Sequence, residues 1–282
     1  MLISDHLQYT RRLALEKEKN LKINLHKEKK LILILDLDNT LLHSTTAMQF
    51  YHNNLYCGRI NKFQDIFQIP LNMNGNGPWT HTKLRPFLKQ FIEMVQDYFT
   101  IYLYTMGNRK YAVEIMRFLM KEVPSLYLTE NRIISRDDGH DHTEGLIYKT
   151  LRQLSPSDHS FYLILDDRHD VWPESVNNLV KAYPYVYFKE TRDNYYLQKY
   201  PSYFQYFTEN DTDPFLLFYG AYLKSVHKEY YDLLEKGEET DVRSINPRLF
   251  QNLRAELNET YKKIKPQGSF IHKVFDTFKK FY

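Results

Sequence analysis

Three short apolar runs, each broken off by a carboxylate or a hydroxyl, constrain this chain more than any other feature. They are LILIL at Leu31 to Leu35, followed by Asp36-Leu37-Asp38-Asn39-Thr40; IYLY at Ile101 to Tyr104, followed by Thr105; and FYLIL at Phe161 to Leu165, followed by Asp166-Asp167. Each run is apolar at odd and even positions alike, so neither of its faces tolerates water. That pattern belongs to strands buried on both sides in the middle of a parallel sheet. Helical periodicity lies between the runs. In KLRPFLKQFIEMVQDYF, the residues Leu84, Phe87, Leu88, Phe91, Val95 and Phe99 share one face, which predicts a helix with Pro86 in its first turn. Asn108 is placed to cap a second helix, whose Ala112, Ile115, Met116 and Leu119 form one stripe. Strands alternating with helices predict an α/β fold with a mainly parallel central sheet.

The remaining segments fill in around that sheet. Asp5 to about Leu21 reads as a polar helix with Leu7, Leu13, Leu15 and Leu21 as its apolar residues. Ala47 to Thr82 is irregular and aromatic, with a turn signal at Met73 to Pro78, and reads as a β-hairpin insertion after the first strand. RIIS at Arg132 to Ser135 reads as a short strand and YVYF at Tyr185 to Phe188 as a fourth. A long helix ends at Gly237, and Asn246-Pro247 starts another. The expected organisation is an N-terminal helical flank over 1–30, an α/β domain over 31–190 with an insertion at 47–82, and a C-terminal helical extension over 191–282.

Composition excludes several function classes. With only nine glycines among 282 residues there is no G-x-G-x-x-G and no G-x-x-x-x-G-K-[ST], so neither glycine-rich phosphate cradle is present. The single cysteine, Cys57, excludes an internal disulfide framework and a cysteine zinc cluster. The apolar runs are too short to span a bilayer, and no secretory signal is visible. A net charge of +3 tolerates an anionic partner without demanding one.

Reactive groups in open α/β sheets sit beyond the carboxyl ends of the strands. If the three runs are parallel neighbours, Asp36, Asp38, Asp166, Asp167 and Thr105 converge on one edge. A lone D-x-D at a strand end is more often a loop or cap feature; the joint pattern is much harder to obtain by chance. Four carboxylates repel one another, and a hard dication with oxygen ligands, Mg²⁺ above all, relieves that repulsion. Asp36 and Asp38 then have separate roles available, one as nucleophile and one as proton donor and acceptor.

These residues also carry a resemblance. DLDNTLLHS resembles the first motif of the haloacid dehalogenase (HAD) superfamily, D-x-D-x-T. More closely, it is similar to the FCP-homology domain of RNA polymerase II C-terminal-domain phosphatases. KLRPFL, YTMGNRKYA, RIISRDD and ILDDRHDVW resemble that family's stretches in the same order, over roughly Glu28 to Phe188. The resemblance implies a HAD-like Rossmannoid fold and a Mg²⁺-dependent protein serine phosphatase. Its implied substrate is the phosphorylated heptad-repeat tail that the largest subunit of RNA polymerase II carries. Implied with it are a nuclear location and general transcription factors as partners, and neither nucleic acid nor membrane is required. A phosphatase of another phosphoprotein or of a small phosphate ester is the alternative; a non-catalytic scaffold is disfavoured because it has no need of the whole residue set.

By the same resemblance, Asp36 is the nucleophile and Asp38 the general acid and base. Thr105, Lys149 and Thr40 bind the phosphate side. Arg85 is the substrate-side arginine, with a structural ion pair as its alternative. Asp36, the Asp38 carbonyl, Asp166 and Asp167 hold Mg²⁺. Asn39 stands where many relatives have Glu or Gln. His140 and His142 read as part of a solvated loop, and Trp172 as a packing residue. Relatives of the transcription type usually continue into a BRCT module; the stretch from Tyr261 to Tyr282 is too short for one and forms a basic tail of six lysines and one aspartate.

Overall fold

The computed structural model describes residues 2–46, 66–70, 79–138, 142–143, 146–188 and 213–263. In chain order the elements are α1 (Leu2–Glu28), β1 (Leu31–Leu35), β2 (Leu42–Thr46), β3 (Ile66–Pro70), β4 (Trp79–Leu84) and α2 (Leu88–Val95). There follow β5 (Phe99–Tyr104), α3 (Arg109–Glu122), β6 (Ile133–Ile134), β7 (His142–Thr143), β8 (Leu146–Ile147) and β9 (Tyr162–Asp166). The last are β10 (Leu179–Lys181), α4 (Phe215–Glu235) and α5 (Val242–Lys263).

The three apolar runs are the three central strands. Five parallel strands form one sheet in the order β10-β9-β1-β5-β6. Every residue of β1 and β9 is buried, as expected of strands covered on both faces. In register, Leu35 lies beside Leu103 on one side and Leu165 on the other. The residues just after each run therefore arrive at the same height on the sheet's carboxyl edge. The switch point of the sheet is at β1, which has β5 on one side and β9 on the other. This is the expected HAD-like Rossmannoid α/β fold, with flanking helices.

The insertion after β1 contributes a separate antiparallel sheet in the order β2-β4-β3. Met73 to Pro78 and most of the aromatic stretch from Phe50 lie outside the described residues. Phe67, which is described, packs on Phe118 of α3 with ring centroids 4.7 Å apart.

Several boundaries differ from expectation. Lys83 and Leu84 belong to β4, paired with His43 and Leu42. The helix starts later, at Leu88, because the residue before Pro86 is biased to extended backbone and Phe87 turns left-handed at φ 64°. Tyr185 to Phe188 is not a strand; the edge strand of the sheet is β10. The backbone N–H of Tyr185 donates to the Asn39 carbonyl, and those of Tyr187 and Phe188 donate to His43 Nδ1, so these three donors are paired without a neighbouring strand. Helix α5 begins at Val242, where Asp241 accepts the Arg243 N–H, and carries Pro247 within it. Asn246 is no cap: its amide donates to the carbonyls of Asn177 and Leu179.

The helical flanks share the core of the sheet. Leu25 of α1, Phe215 of α4 and Val242 and Ile245 of α5 are buried in one cluster with the strands. Helix α1 docks through Glu18, Leu21 and Leu25; of the apolar residues read along it, Leu21 packs on the core while Leu13 and Leu15 are exposed. No helix among the described residues is long and apolar enough to cross a membrane.

Candidate active site

The site is built at the carboxyl ends of β1, β5 and β9. Asp36 leaves β1 with its N–H bonded to the Leu165 carbonyl, beside Asp166 at the end of β9. Between these two carboxylates stands Lys149. Its ammonium donates to Asp36 Oδ1 and Asp166 Oδ2, both at 2.6 Å, and to the Tyr104 carbonyl at 2.9 Å. The same ammonium lies 5.5 Å from the Tyr104 ring centre and 5.6 Å from that of Trp172. A lysine is rarely this buried unless paired, and here every donor is used.

Asp166 is the most constrained of the acids. Oδ1 accepts the Arg168 N–H at 2.8 Å, and Oδ2 accepts Trp172 Nε1 at 2.8 Å as well as Lys149. Trp172 therefore packs, as expected, and also donates. Asp167 is held by Thr40, whose Oγ1 accepts the Asp167 N–H at 3.1 Å and lies 3.4 Å from Asp167 Oδ1. Carboxylate oxygens of Asp36, Asp166 and Asp167 lie within 4.8 Å of one another, a buried trio able to hold a metal ion.

Asp38 faces the other way. Its Oδ2 lies 3.3 Å from Thr105 Oγ1, and its Oδ1 accepts the Tyr111 hydroxyl at 2.5 Å. Thr105 in turn accepts the Gly107 N–H at 2.9 Å. Gly107 is required for space rather than for backbone freedom: a Cβ there would lie 2.4 Å from Tyr111 Cδ1.

Electrostatics follow from this crowding. Burial, with the Asp166 charge added, pushes the Asp36 carboxyl up to about 7 despite Lys149. Burial also raises Asp38, against the hydrogen bonds from Tyr111 and Thr105. Asp167 is pushed well up by burial and by the charges of Asp166 and Asp36. Burial opposes the charge on Lys149, yet Asp166 and Asp36 on either side outweigh it and hold the ammonium above the ordinary lysine range. Tyr111 is pushed well up by burial and by the Asp38 charge, so its proton stays on the phenol.

Of the residues singled out in the sequence, Asp36, Asp38, Thr40, Thr105, Lys149, Asp166 and Asp167 come together on this edge. Arg85 lands behind it. Its side chain is fully buried, with Nε 3.1 Å and Nη2 2.9 Å from Asp213 Oδ2, and Nη1 donates to the Thr40 carbonyl at 3.0 Å. Its guanidinium lies 5.7 Å from the Tyr185 ring centre and 5.9 Å from that of Tyr219 and, through the Thr40 carbonyl, braces the loop from beneath. His140 lies outside the described residues; His142 is in β7. Two contributors were not expected: Tyr111, and the indole N–H of Trp172. Both stand inside motif stretches, YTMGNRKYA and DDRHDVW, but only the fold shows which carboxylate each one reaches.

Asn39 has a positive φ of 64°, a left-handed turn that asparagine tolerates better than most residues. Its side-chain amide donates to the Tyr185 carbonyl at 3.1 Å while its own carbonyl accepts the Tyr185 N–H at 2.6 Å. The loop carrying both key aspartates is thereby pinned to the segment that follows β10.

The profile of the NLI interacting factor-like phosphatase family matches residues 31–229. The chain belongs to this family. The family match begins at β1 and reaches into α4, so it takes in every residue of the site. Among family relatives, the chain is 38% identical over 170 residues to the human RNA polymerase II C-terminal domain phosphatase, covering 60% of this chain and 16% of that protein. It is 34% identical over 168 residues to the Schizosaccharomyces pombe protein of the same name, covering 58% of this chain and 22% of that one. The chain thus spans roughly a fifth of the length of these relatives. A solved structure of the fission yeast RNA polymerase II CTD phosphatase Fcp1, bound to beryllium fluoride, superposes with a TM-score of 0.61 at 26% identity, covering 82% of this chain and 73% of that one.

Proposed function

We propose that this protein is a Mg²⁺-dependent serine phosphatase of the phosphorylated heptad repeats in the tail of RNA polymerase II. The observation that carries the reading is the paired arrangement of Asp36 and Asp38. Asp36 stands against Lys149 at the metal-competent trio, and Asp38 is turned away from it toward Thr105 and Tyr111. The names of the two relatives described above support the substrate class and a nuclear location.

In this reading Asp36 attacks phosphorus and Asp38 gives its proton to the departing serine oxygen. Asp38 then takes a proton from water, which releases phosphate from the aspartyl-phosphate. Lys149 and Thr105 face the charge that develops on the phosphoryl oxygens. Thr40 holds Asp167 in place. The donor set fits Mg²⁺: hard and oxygen-only, with three buried carboxylates beside the buried Lys149 ammonium. Asp36, Asp166, Asp167 and the Asp38 carbonyl would hold it, and it would supply positive charge to the phosphoryl group. Residues 31–190 with their insertion would be the catalytic unit, flanked by 1–30 and 191–282, of which 189–212 and 264–282 lie outside the described residues.

A position-resolved panel of phosphoserine heptad peptides, with unrelated phosphopeptides and a small phosphate ester beside it, tests the proposal. The expected result is Mg²⁺-dependent release of phosphate from heptad peptides, abolished by EDTA. Equal turnover of all substrates would reduce the reading to a general phosphatase. No turnover of any would overturn it.

A further inference from the structure

A row of hydroxyls runs from the inserted antiparallel sheet to Asp38. Thr82 and Ser44 stand opposite each other in the register of β4 and β2, with Oγ1 and Oγ 2.8 Å apart. Ser44 Oγ is 3.1 Å from the Tyr111 hydroxyl, and that hydroxyl is 2.5 Å from Asp38 Oδ1. Tyr111 is aimed by its position at the start of α3, where its N–H donates to the Asn108 side chain at 2.9 Å, and by the gap left at Gly107.

Each hydroxyl has one proton to give. An ionised carboxylate only accepts, so Tyr111 donates to Asp38 Oδ1. The Tyr111 oxygen is then free to accept from Ser44, and Ser44 to accept from Thr82. Both oxygens of Asp38 accept, Oδ1 from Tyr111 at 2.5 Å and Oδ2 from the Thr105 hydroxyl at 3.3 Å. The shorter, network-supported bond holds Oδ1 as an acceptor, whereas the Thr105 hydroxyl can rotate away, so the proton that Asp38 must carry as an acid has its place on Oδ2.

We propose that Thr82, Ser44 and Tyr111 form a one-way hydroxyl relay that makes Asp38 Oδ2 the proton-carrying atom in both steps of the reaction. The inserted sheet is then part of the catalytic apparatus, and Tyr111 and Ser44 are positioning residues that act through Asp38. This rests on the phosphatase reading above. In the first step the bond from Asp36 to phosphorus forms and the bond from phosphorus to the serine oxygen breaks. That oxygen keeps the electron pair and takes the proton from Oδ2. In the second step water forms its bond to phosphorus, the bond to Asp36 breaks, and the water proton returns to Oδ2.

The relay matters only where the leaving group needs a proton. A serine alkoxide does; a 4-nitrophenolate does not. The experiment is single-turnover release from a phosphoserine heptad peptide and from 4-nitrophenyl phosphate, in the full chain with Mg²⁺. The readout is the ratio of the aryl to the serine rate. In Tyr111→Phe that ratio is expected to rise about tenfold or more, the low end of what a positioned general acid contributes. In Ser44→Ala it rises less, by about threefold, and Ser44→Thr returns it toward wild type. A ratio that stays within about twofold of wild type in both Tyr111→Phe and Ser44→Ala overturns the relay, whether both rates fall together or neither falls. Wild-type protein that turns over neither substrate overturns the phosphatase reading itself, and no variant is needed to see that.

Discussion

Lys149 and Arg85 are both buried cations bonded to buried carboxylates, and they sit on opposite sides of one loop. Lys149 lies between Asp36 and Asp166, with Asp38 and Asp167 close by, so negative charge is in excess. Arg85 pairs with Asp213 and spends another donor on the Thr40 carbonyl beneath the loop. Among the described residues, the first cluster sets more carboxylates than cations around one point and so favours the uptake of a positive ion. In the second, among the described residues, one cation faces one carboxylate. Burial alone does not separate a reactive site from a brace; the charge balance of the buried group does.

The comparison is broken most severely at the unbalanced cluster. Asp36→Asn is expected to cut turnover by about 10⁴-fold while circular dichroism shows a folded protein, because it removes the nucleophile and relieves crowding among the acids. Near-normal turnover would remove Asp36 from the nucleophile's role.

At the balanced cluster the loss is one of stability. Arg85→Met leaves the Asp213 charge buried without its cation and is expected to cost about 3–5 kcal/mol in urea unfolding. The double variant Arg85→Met, Asp213→Leu should recover most of that. If Arg85→Met instead lowers turnover with stability intact, Arg85 belongs to the substrate side after all.

The third test separates the clusters by pH. In the metal-free protein the Asp36 carboxyl is raised to about 7 from the ordinary carboxylate range, and Asp167 is raised too. Between those values the folded state binds more protons than the unfolded one, so stability falls as pH rises toward 7. Mg²⁺ should reverse this fall, and its affinity should weaken below pH 7 because binding displaces those protons. Thermal melts with and without Mg²⁺ across this range check both signs. Melts whose pH slope is the same with and without Mg²⁺ would contradict them.

The smallest effect is expected at Glu18, which docks α1. Burial works against its charge, but hydrogen bonds from the Ser155 and Ser157 hydroxyls and from the N–H groups of Asp158 and Ser157 prevail and hold its carboxyl below the usual range. Its contribution is present above the unfolded carboxylate pKa and is lost as pH falls through the lower folded value. Glu18→Ala should cost about 1–2 kcal/mol near neutral pH, measured by urea unfolding, and less at pH 3.

Much of this molecule is legible in the sequence, for a reason that also marks the limit. LILIL, IYLY and FYLIL are visible because central parallel strands are apolar on both faces, and the acids after them inherit their height from the strands. The helix near Leu84 starts later than its periodicity suggests because Lys83 and Leu84 answer to β2, far back in the chain. YVYF alternates like a strand, yet backbone N–H groups in it pair with Asn39 and with His43. Tyr111 and Trp172 look like ordinary packing aromatics until the fold brings their donors to Asp38 and Asp166. The partner of Arg85, Asp213, is 128 residues away and follows no local pattern.

The link between Asn39 and Tyr185 has a consequence in time. The two residues are 146 positions apart, and each bonds the other's backbone. During synthesis at about 5–20 residues per second, the nascent chain carries its aspartate loop for roughly 7–30 seconds before Tyr185 has been made. Lys149 and the Asp166-Asp167 pair also come late. A ribosome therefore displays Asp36 and Asp38 early and Lys149, Asp166 and Asp167 late, so in the proposed reading the site cannot be complete until the last of them has been made.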